Sequence, residues 1–115
     1  MIVWITGAPG TGKTTTAQRL AKTLPRSCVL DGDEVRQWLT PDCGFSAEDR
    51  RRHAERVWRV ASMLSEAGGT AIVALVAHPP SPVDLLIWVD GPARTPLWSG
   101  TTYTPPERPD LVVRT

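Results

Sequence analysis

Apolar and polar positions alternate along the chain with two different periods, and together they predict an order of elements. Met1-Ile2-Val3-Trp4-Ile5-Thr6 is an apolar run of strand length that stops at a glycine. Thr15 to Leu24 carries apolar residues at helical spacing, predicting a first helix, and Pro25-Arg26-Ser27 breaks it. Cys28-Val29-Leu30 reads as a short buried strand ending at Asp31-Gly32-Asp33, and Glu34 to Leu39 as a short helix stopped by Thr40-Pro41. Ser46 followed by Asp49 has the spacing of a helix N-cap with an acidic third position. It opens the longest element, a helix over Ala47 to Ala67, where Ala54, Val57, Val60, Ala61 and Leu64 share one stripe and Gly68-Gly69 ends the run. Thr70 to Ala77 is almost wholly apolar, as a central parallel strand covered on both faces must be. Val83 to Val89 is a second such run, interrupted by Asp84, and Leu111-Val112-Val113 suggests a last strand.

One junction conflicts with this order. Parallel neighbours need a connection of about a dozen residues or more, usually helical. Between the last two long strands stands Pro79-Pro80-Ser81-Pro82, which leaves no room for a helix. Either the proline segment runs extended across the sheet end, or the two strands are not ordinary parallel neighbours.

The chemistry enters at Gly7-Ala8-Pro9-Gly10-Thr11-Gly12-Lys13-Thr14, which reads G-x-x-x-x-G-K-T between a strand and a helix. This is the phosphate-binding P-loop. Its glycines let successive N–H groups converge on a phosphate, Lys13 reaches the β and γ oxygens, and Thr14 offers a hydroxyl to Mg²⁺. Thr15 follows at the start of the helix, whose positive end faces the same anion. A bound nucleoside triphosphate with Mg²⁺ is predicted. Asp31 and Asp33, at the carboxyl end of a parallel strand, stand where open α/β sheets place their ligands. Asp33 also has the position of a cap for a helix beginning at Glu34, a role compatible with catalysis. The predicted fold is α/β: a reduced three-layer P-loop sandwich with a mostly parallel sheet.

Composition adds bounds. The 115 residues fit one domain, 1–115, with no internal repeat and no linker. A net charge of +1 argues neither for nor against a nucleic-acid partner. Cys28 and Cys43 could pair, but the chain shows no secretory segment and no apolar run long enough for a membrane, so free thiols and a cytoplasmic location are expected.

Three further stretches follow the P-loop in a specific order. They are Leu30-Asp31-Gly32-Asp33-Glu34-Val35-Arg36, Gly44-Phe45-Ser46-Ala47-Glu48-Asp49-Arg50, and Tyr103-Thr104-Pro105-Pro106-Glu107-Arg108-Pro109-Asp110-Leu111. With the P-loop they make the chain resemble the adenylylsulfate kinases, which phosphorylate the 3′-hydroxyl of adenosine 5′-phosphosulfate. The resemblance implies a kinase with a small-molecule nucleotide acceptor. It implies that Asp33 orients or deprotonates the acceptor hydroxyl and that Asp31 joins Thr14 at Mg²⁺. It further implies that Arg36 and Arg50 bind the phosphosulfate and that Phe45 contacts the acceptor's adenine. Arg50 is also singled out by spacing, because it extends the apolar stripe of the long helix to its first turn and so points along the sheet end. Arg51, Arg52, Arg56 and Arg59 lie on the outer flanks and read as a solvated face.

The chain departs from the family pattern in several places. His53 replaces an asparagine that helps hold the acceptor; on the inward stripe it either packs or donates one hydrogen bond. Ala77-His78-Pro79 stands where the family has a serine before proline, so no phosphoserine can form there. The family's lid and C-terminal helix have no counterpart, and Arg94, Trp98 and Tyr103 are the available substitutes. A lid excludes water and adds charge at the transferring group, so an open site with weaker acceptor binding is expected. That openness also admits a larger acceptor. A kinase for a nucleic-acid hydroxyl, with Trp38, Trp98 and Phe45 as stacking or merely packed aromatics, is the alternative. A catalytically silent ATP-binding module is the third. A truncated sheet with an uncovered edge makes a homodimer plausible.

Overall fold

The computed structural model describes residues 1–92 and 102–115. Five strands form one sheet: β1 (Ile2–Thr6), β2 (Ser27–Asp31), β3 (Thr70–Ala74), β4 (Leu85–Asp90) and β5 (Leu111–Arg114). Three helices accompany them, α1 (Lys13–Ala21), α2 (Gly32–Trp38) and α3 (Ala47–Glu66). The strand order is β2-β3-β1-β4-β5, and every pairing among the described residues is parallel. Helices on both faces of this sheet make the α/β sandwich of the P-loop fold.

Strand alternation sorts the core into two layers. Ile2 and Trp4 of β1 join Ala71 and Val73 of β3 against Val35 of α2 and Ala54, Val57 and Ala61 of α3. Val3 and Ile5 join Ile72, Ala74, Ile87 and Val89 against Ala17 of α1 on the opposite face. β1 is buried along its whole length because both of its faces are covered. β2 is different. As an edge strand it buries only Leu30 and exposes Cys28, so the expected buried strand is half covered.

The proline junction resolves through the strand order. β3 and β4 are not neighbours; they flank β1, and residues 75–84 pass between them without a helix. Trp4 Nε1 donates to the Ala77 carbonyl at 2.9 Å and Trp58 Nε1 to that of Pro82 at 3.1 Å. Ala77 and Val83 pack on the α3 layer. Two indoles thus anchor the connecting segment to the sheet and to α3. These bonds also explain why β3 stops at Ala74 rather than Ala77: the Val76 and Ala77 carbonyls turn to Thr6 Oγ1 and Trp4 Nε1. β4 begins at Leu85 because the Asp84 carboxylate accepts from Ile2 N at 2.6 Å, capping the start of β1.

Other boundaries differ for local reasons. α1 starts at Lys13, two residues before the expected Thr15, because Gly12 at φ 107° turns the loop straight into the helix. It ends at Ala21 rather than Leu24, since the Thr23 hydroxyl bonds the Leu20 carbonyl and Pro25 can donate nothing. α3 begins as predicted, with Ser46 Oγ accepting from Asp49 N at 3.1 Å, and Gly68 at φ 94° follows its end.

Candidate active site

The loop from Gly7 to Gly12 joins β1 to α1 at the carboxyl end of the sheet. Gly10 and Gly12 adopt φ 76° and 107°, a region that favours residues without a Cβ. Gly12 is the N-cap of α1 and no side chain caps that helix, so its first N–H groups are left for an anion. The loop braces itself: Thr11 Oγ1 donates to the Ala8 carbonyl at 2.8 Å and Lys13 Nζ to the same oxygen at 3.0 Å. A second brace comes from the end of β5, where Thr115 Oγ1 donates to the Thr11 carbonyl at 3.0 Å.

Beside the loop lies the acidic turn. The Thr14 hydroxyl donates to Asp31 Oδ2, and Asp31 Oδ1 accepts from Asp33 N at 3.0 Å. The cap of α2 is therefore Asp31, not Asp33, and the helix starts at Gly32 rather than Glu34. Asp33 is left in the exposed first turn with its carboxylate free of capping duty. Burial lowers the Lys13 pKa, while Asp33 and Asp31 act to raise it, which places the ammonium within electrostatic reach of both carboxylates.

A cavity of about 920 Å³ runs from this loop across the sheet end. Pro9 to Thr15, Asp31, Asp33, Arg36, Arg50 and His53 all line it; Gly7 and Ala8 do not. Phe45 also stands outside the wall, half exposed, with the Arg36 guanidinium 4.3 Å from its ring centroid. Arg36 Nη1 donates to the carbonyls of Cys43 and Gly44 at 3.2 and 3.1 Å, so one nitrogen holds the 43–45 loop while the fork still faces the cavity. Arg50 Nε donates to the Ser46 carbonyl at 3.4 Å at the head of α3.

His53 is buried, and its Nδ1 lies 2.7 Å from Thr40 Oγ1. Desolvation, reinforced by Arg36 and Arg56, pushes its pKa down to about 4, so the ring is neutral. The outer arginines are not uniformly solvated. Arg52 and Arg56 both bind Asp42, at 3.1 and 2.9 Å, and tie the α2–α3 loop to the helix; the Arg56 hydrogen bond takes the Asp42 carboxyl down to about 2. Arg51 and Arg59 remain exposed, as does Trp38 at 57%, so that tryptophan is not a packing residue.

A strap of residues 102–104 also lines the cavity. Tyr103 Oη lies 3.0 Å from Thr6 Oγ1, which itself donates to the Val76 carbonyl at 2.9 Å. His78 Nε2 donates to the Thr104 carbonyl at 2.6 Å, and its ring meets Tyr103 edge-on. Tyr103 thus lines the cavity. Arg94 and Trp98 lie outside the described residues. Sequence reasoning missed Thr40, read only as a helix stop, along with Thr6 and Thr115. Each acts through a single hydroxyl, and a lone threonine carries no motif.

The residues present fit Mg²⁺. That ion keeps several waters and takes one or two protein ligands beside the substrate phosphates. A hydroxyl in contact with a carboxylate, Thr14 with Asp31, is such a pair. Among the described residues no three acidic, histidine or cysteine side chains gather into a self-sufficient metal cage.

The adenylylsulphate kinase family model matches residues 1–82, which span the P-loop, the acidic turn, the arginines and β3. The chain belongs to the adenylylsulphate kinase family. Adenylyl-sulfate kinase 3 of Arabidopsis thaliana is 42% identical over 80 residues, covering 66% of this chain and 38% of that protein. Adenylyl-sulfate kinase of Myxococcus xanthus is 42% identical over 79 residues, covering 66% and 43%. The chain thus spans about two fifths of the length of these relatives. Among solved structures, the Mycobacterium tuberculosis APS kinase CysC in complex with AMPPNP and APS superposes with a TM-score of 0.78 at 26% identity. That match covers 98% of this chain and 87% of the other. No helix among the described residues is long and apolar enough to cross a membrane.

Proposed function

We propose that residues 1–115 work as one kinase domain that transfers the γ-phosphoryl group of ATP, with Mg²⁺, to the 3′-hydroxyl of adenosine 5′-phosphosulfate. The observation that carries this reading is the single cavity whose wall holds Lys13, Asp31 and Asp33 together with Arg36 and Arg50. A nucleotide phosphate site alone needs only the first part of that wall. Two guanidiniums in the same wall as an exposed carboxylate suit a second, anionic substrate that carries a hydroxyl.

In this mechanism Lys13 and the loop amides hold the β and γ phosphates. Lys13 leaves the Ala8 carbonyl to do so, exchanging one hydrogen bond for a charge-assisted one. Thr14 and Asp31 would hold Mg²⁺, which supplies neutralisation of the charge on the transferring group. Arg36 and Arg50 bind the phosphosulfate, Phe45 meets the adenine at the rim, and His53 donates to the acceptor from the wall. Asp33 accepts the proton of the 3′-hydroxyl as its oxygen bonds to the γ-phosphorus. The bond from that phosphorus to the β–γ bridging oxygen breaks, and ADP departs. Tyr103 and the strap close the side a lid would cover.

The test is Asp33→Ala. It should bind AMPPNP with Mg²⁺ as the wild type does while ADP formation in the presence of adenosine phosphosulfate is lost. Unchanged turnover would remove Asp33 from the mechanism.

A further inference from the structure

His53 Nε2 is a fully buried ring nitrogen without a hydrogen-bond partner among the described residues. Leaving a buried polar atom unpaired costs about 1–3 kcal/mol, and native proteins rarely leave one without a reason. The ring belongs to the same cavity wall as Arg36 and Arg50. Its other nitrogen meets the hydroxyl of Thr40, a residue with no exposed surface. Thr40 is held rigidly, its N–H on the Val35 carbonyl at 3.3 Å and its carbonyl accepting from Cys43 N at 3.1 Å.

Two neutral tautomers are available to the ring. If Nδ1 carried the proton, Thr40 Oγ1 would accept it, and the Thr40 hydroxyl hydrogen would point at nothing. Nε2 would then be a bare lone pair as well, so two buried polar groups would go unmet. If instead the Thr40 hydroxyl donates into Nδ1, every polar atom of the pair is met except the Nε2–H. Arg36 from α2 and Arg56 from the ring's own helix are the charged groups that act on it, and both oppose a third positive charge. The ring therefore donates without being a cation.

We propose that Thr40 locks His53 in the Nε2–H tautomer and thereby makes it a neutral hydrogen-bond donor to a phosphate or sulfate oxygen of the acceptor held by Arg36 and Arg50. This rests on the acceptor reading above and deepens it, naming a positioning residue and the atom through which it acts. The oxygen reaches Nε2 as the two guanidiniums turn toward the same anion. A fixed donor in the same wall as two charged forks adds a directional contact to a tetrahedral anion, which two guanidiniums alone leave free to rotate.

The test is a long-range ¹H–¹⁵N spectrum of the labelled full chain, followed by titration with adenosine 5′-phosphosulfate in the presence of AMPPNP and Mg²⁺. The expected results are the Nε2–H pattern for His53 in the free protein and a shift of that resonance on binding. Thr40→Val should lose the single-tautomer pattern and weaken the phosphosulfate about tenfold, the size of one hydrogen bond, with AMPPNP affinity unchanged. Thr40→Ser should restore both, which a purely structural role for the methyl would not. An Nδ1–H pattern in the wild type overturns the lock. Normal phosphosulfate affinity with an unmoved Nε2 resonance also overturns it and leaves the proposed function standing. Failure of the wild type to bind phosphosulfate while AMPPNP binds overturns both.

Discussion

Asp31 has two jobs that a pair of substitutions separates. Its Oδ1 caps α2 by accepting from Asp33 N, and its Oδ2 accepts from the Thr14 hydroxyl where Mg²⁺ is proposed to bind. Asp31→Ala removes both. The cap is worth about 1 kcal/mol. The Thr14 bond is worth about half of that, because Thr14 is exposed and finds water instead. The sum of about 1.5 kcal/mol lowers the melting temperature by about 6 °C in a chain of this size. Asp31→Asn keeps an oxygen at the cap, where asparagine and aspartate perform alike, so its melting point falls by no more than about 2 °C. The two variants diverge on stability yet converge on the ion. At about 100 times its Kd, Mg²⁺·AMPPNP stabilises the wild type by about 2.7 kcal/mol, or about 10 °C. Neither variant should show the Mg²⁺-dependent part of that rise. Thermal denaturation with AMPPNP, with and without Mg²⁺, reads all of these values. Equal melting points for the two variants would refute the cap. A full Mg²⁺-dependent rise in Asp31→Asn would refute the metal role.

Gly7→Ala places a Cβ 2.8 Å from both Thr11 Oγ1 and the Val89 carbonyl, whereas Gly68→Ala meets nothing within 4 Å but sits at φ 94°. Both should destabilise by about 1–3 kcal/mol, yet only Gly7→Ala should weaken AMPPNP in calorimetry, because only there must the phosphate loop move. The His53 pKa lies near 4 when folded against 6.5 as its ordinary value, so protonation favours the unfolded chain. Its contribution is complete above pH 6.5 and is lost as pH falls toward 4, on the order of 3 kcal/mol, and His53→Phe should flatten that part of an acid-denaturation curve. Tyr103 is the chain's one tyrosine, so ultraviolet absorbance reads its ionisation directly. Burial raises its pKa, while the Thr6 hydroxyl, turning from the Val76 carbonyl to donate to the phenolate, lowers it, so Thr6→Val should push ionisation to still higher pH. A downward shift would contradict the Thr6–Tyr103 contact.

Much of the fold was legible because period and punctuation agreed. The stripe of Ala54, Val57 and Ala61 and the Ser46 cap marked α3, and Gly-Lys-Thr after an apolar strand marked the nucleotide end. What stayed hidden depends on partners distant in sequence. The strand order, with β1 between β3 and β4, follows from which edges pair and not from any local pattern. Asp31 and Asp33 are both reasonable caps by type; only the backbone decides that Asp31 serves. Thr6, Thr40 and Thr115 matter through hydroxyls that reach across 97, 13 and 104 positions, and spacing carries no trace of such pairings. Arg36 was legible as a cavity cation, yet its bonds to Cys43 and Gly44 show that it also shapes the loop presenting Phe45.

The most direct test of the account is label transfer from γ-labelled ATP, with Mg²⁺, to adenosine 5′-phosphosulfate, run beside 5′-hydroxyl and hydroxymethyl-base oligonucleotides. Label is expected on the 3′-oxygen of the phosphosulfate and not on the oligonucleotides. Transfer only to an oligonucleotide, or none to any acceptor while ATP remains bound, would contradict it.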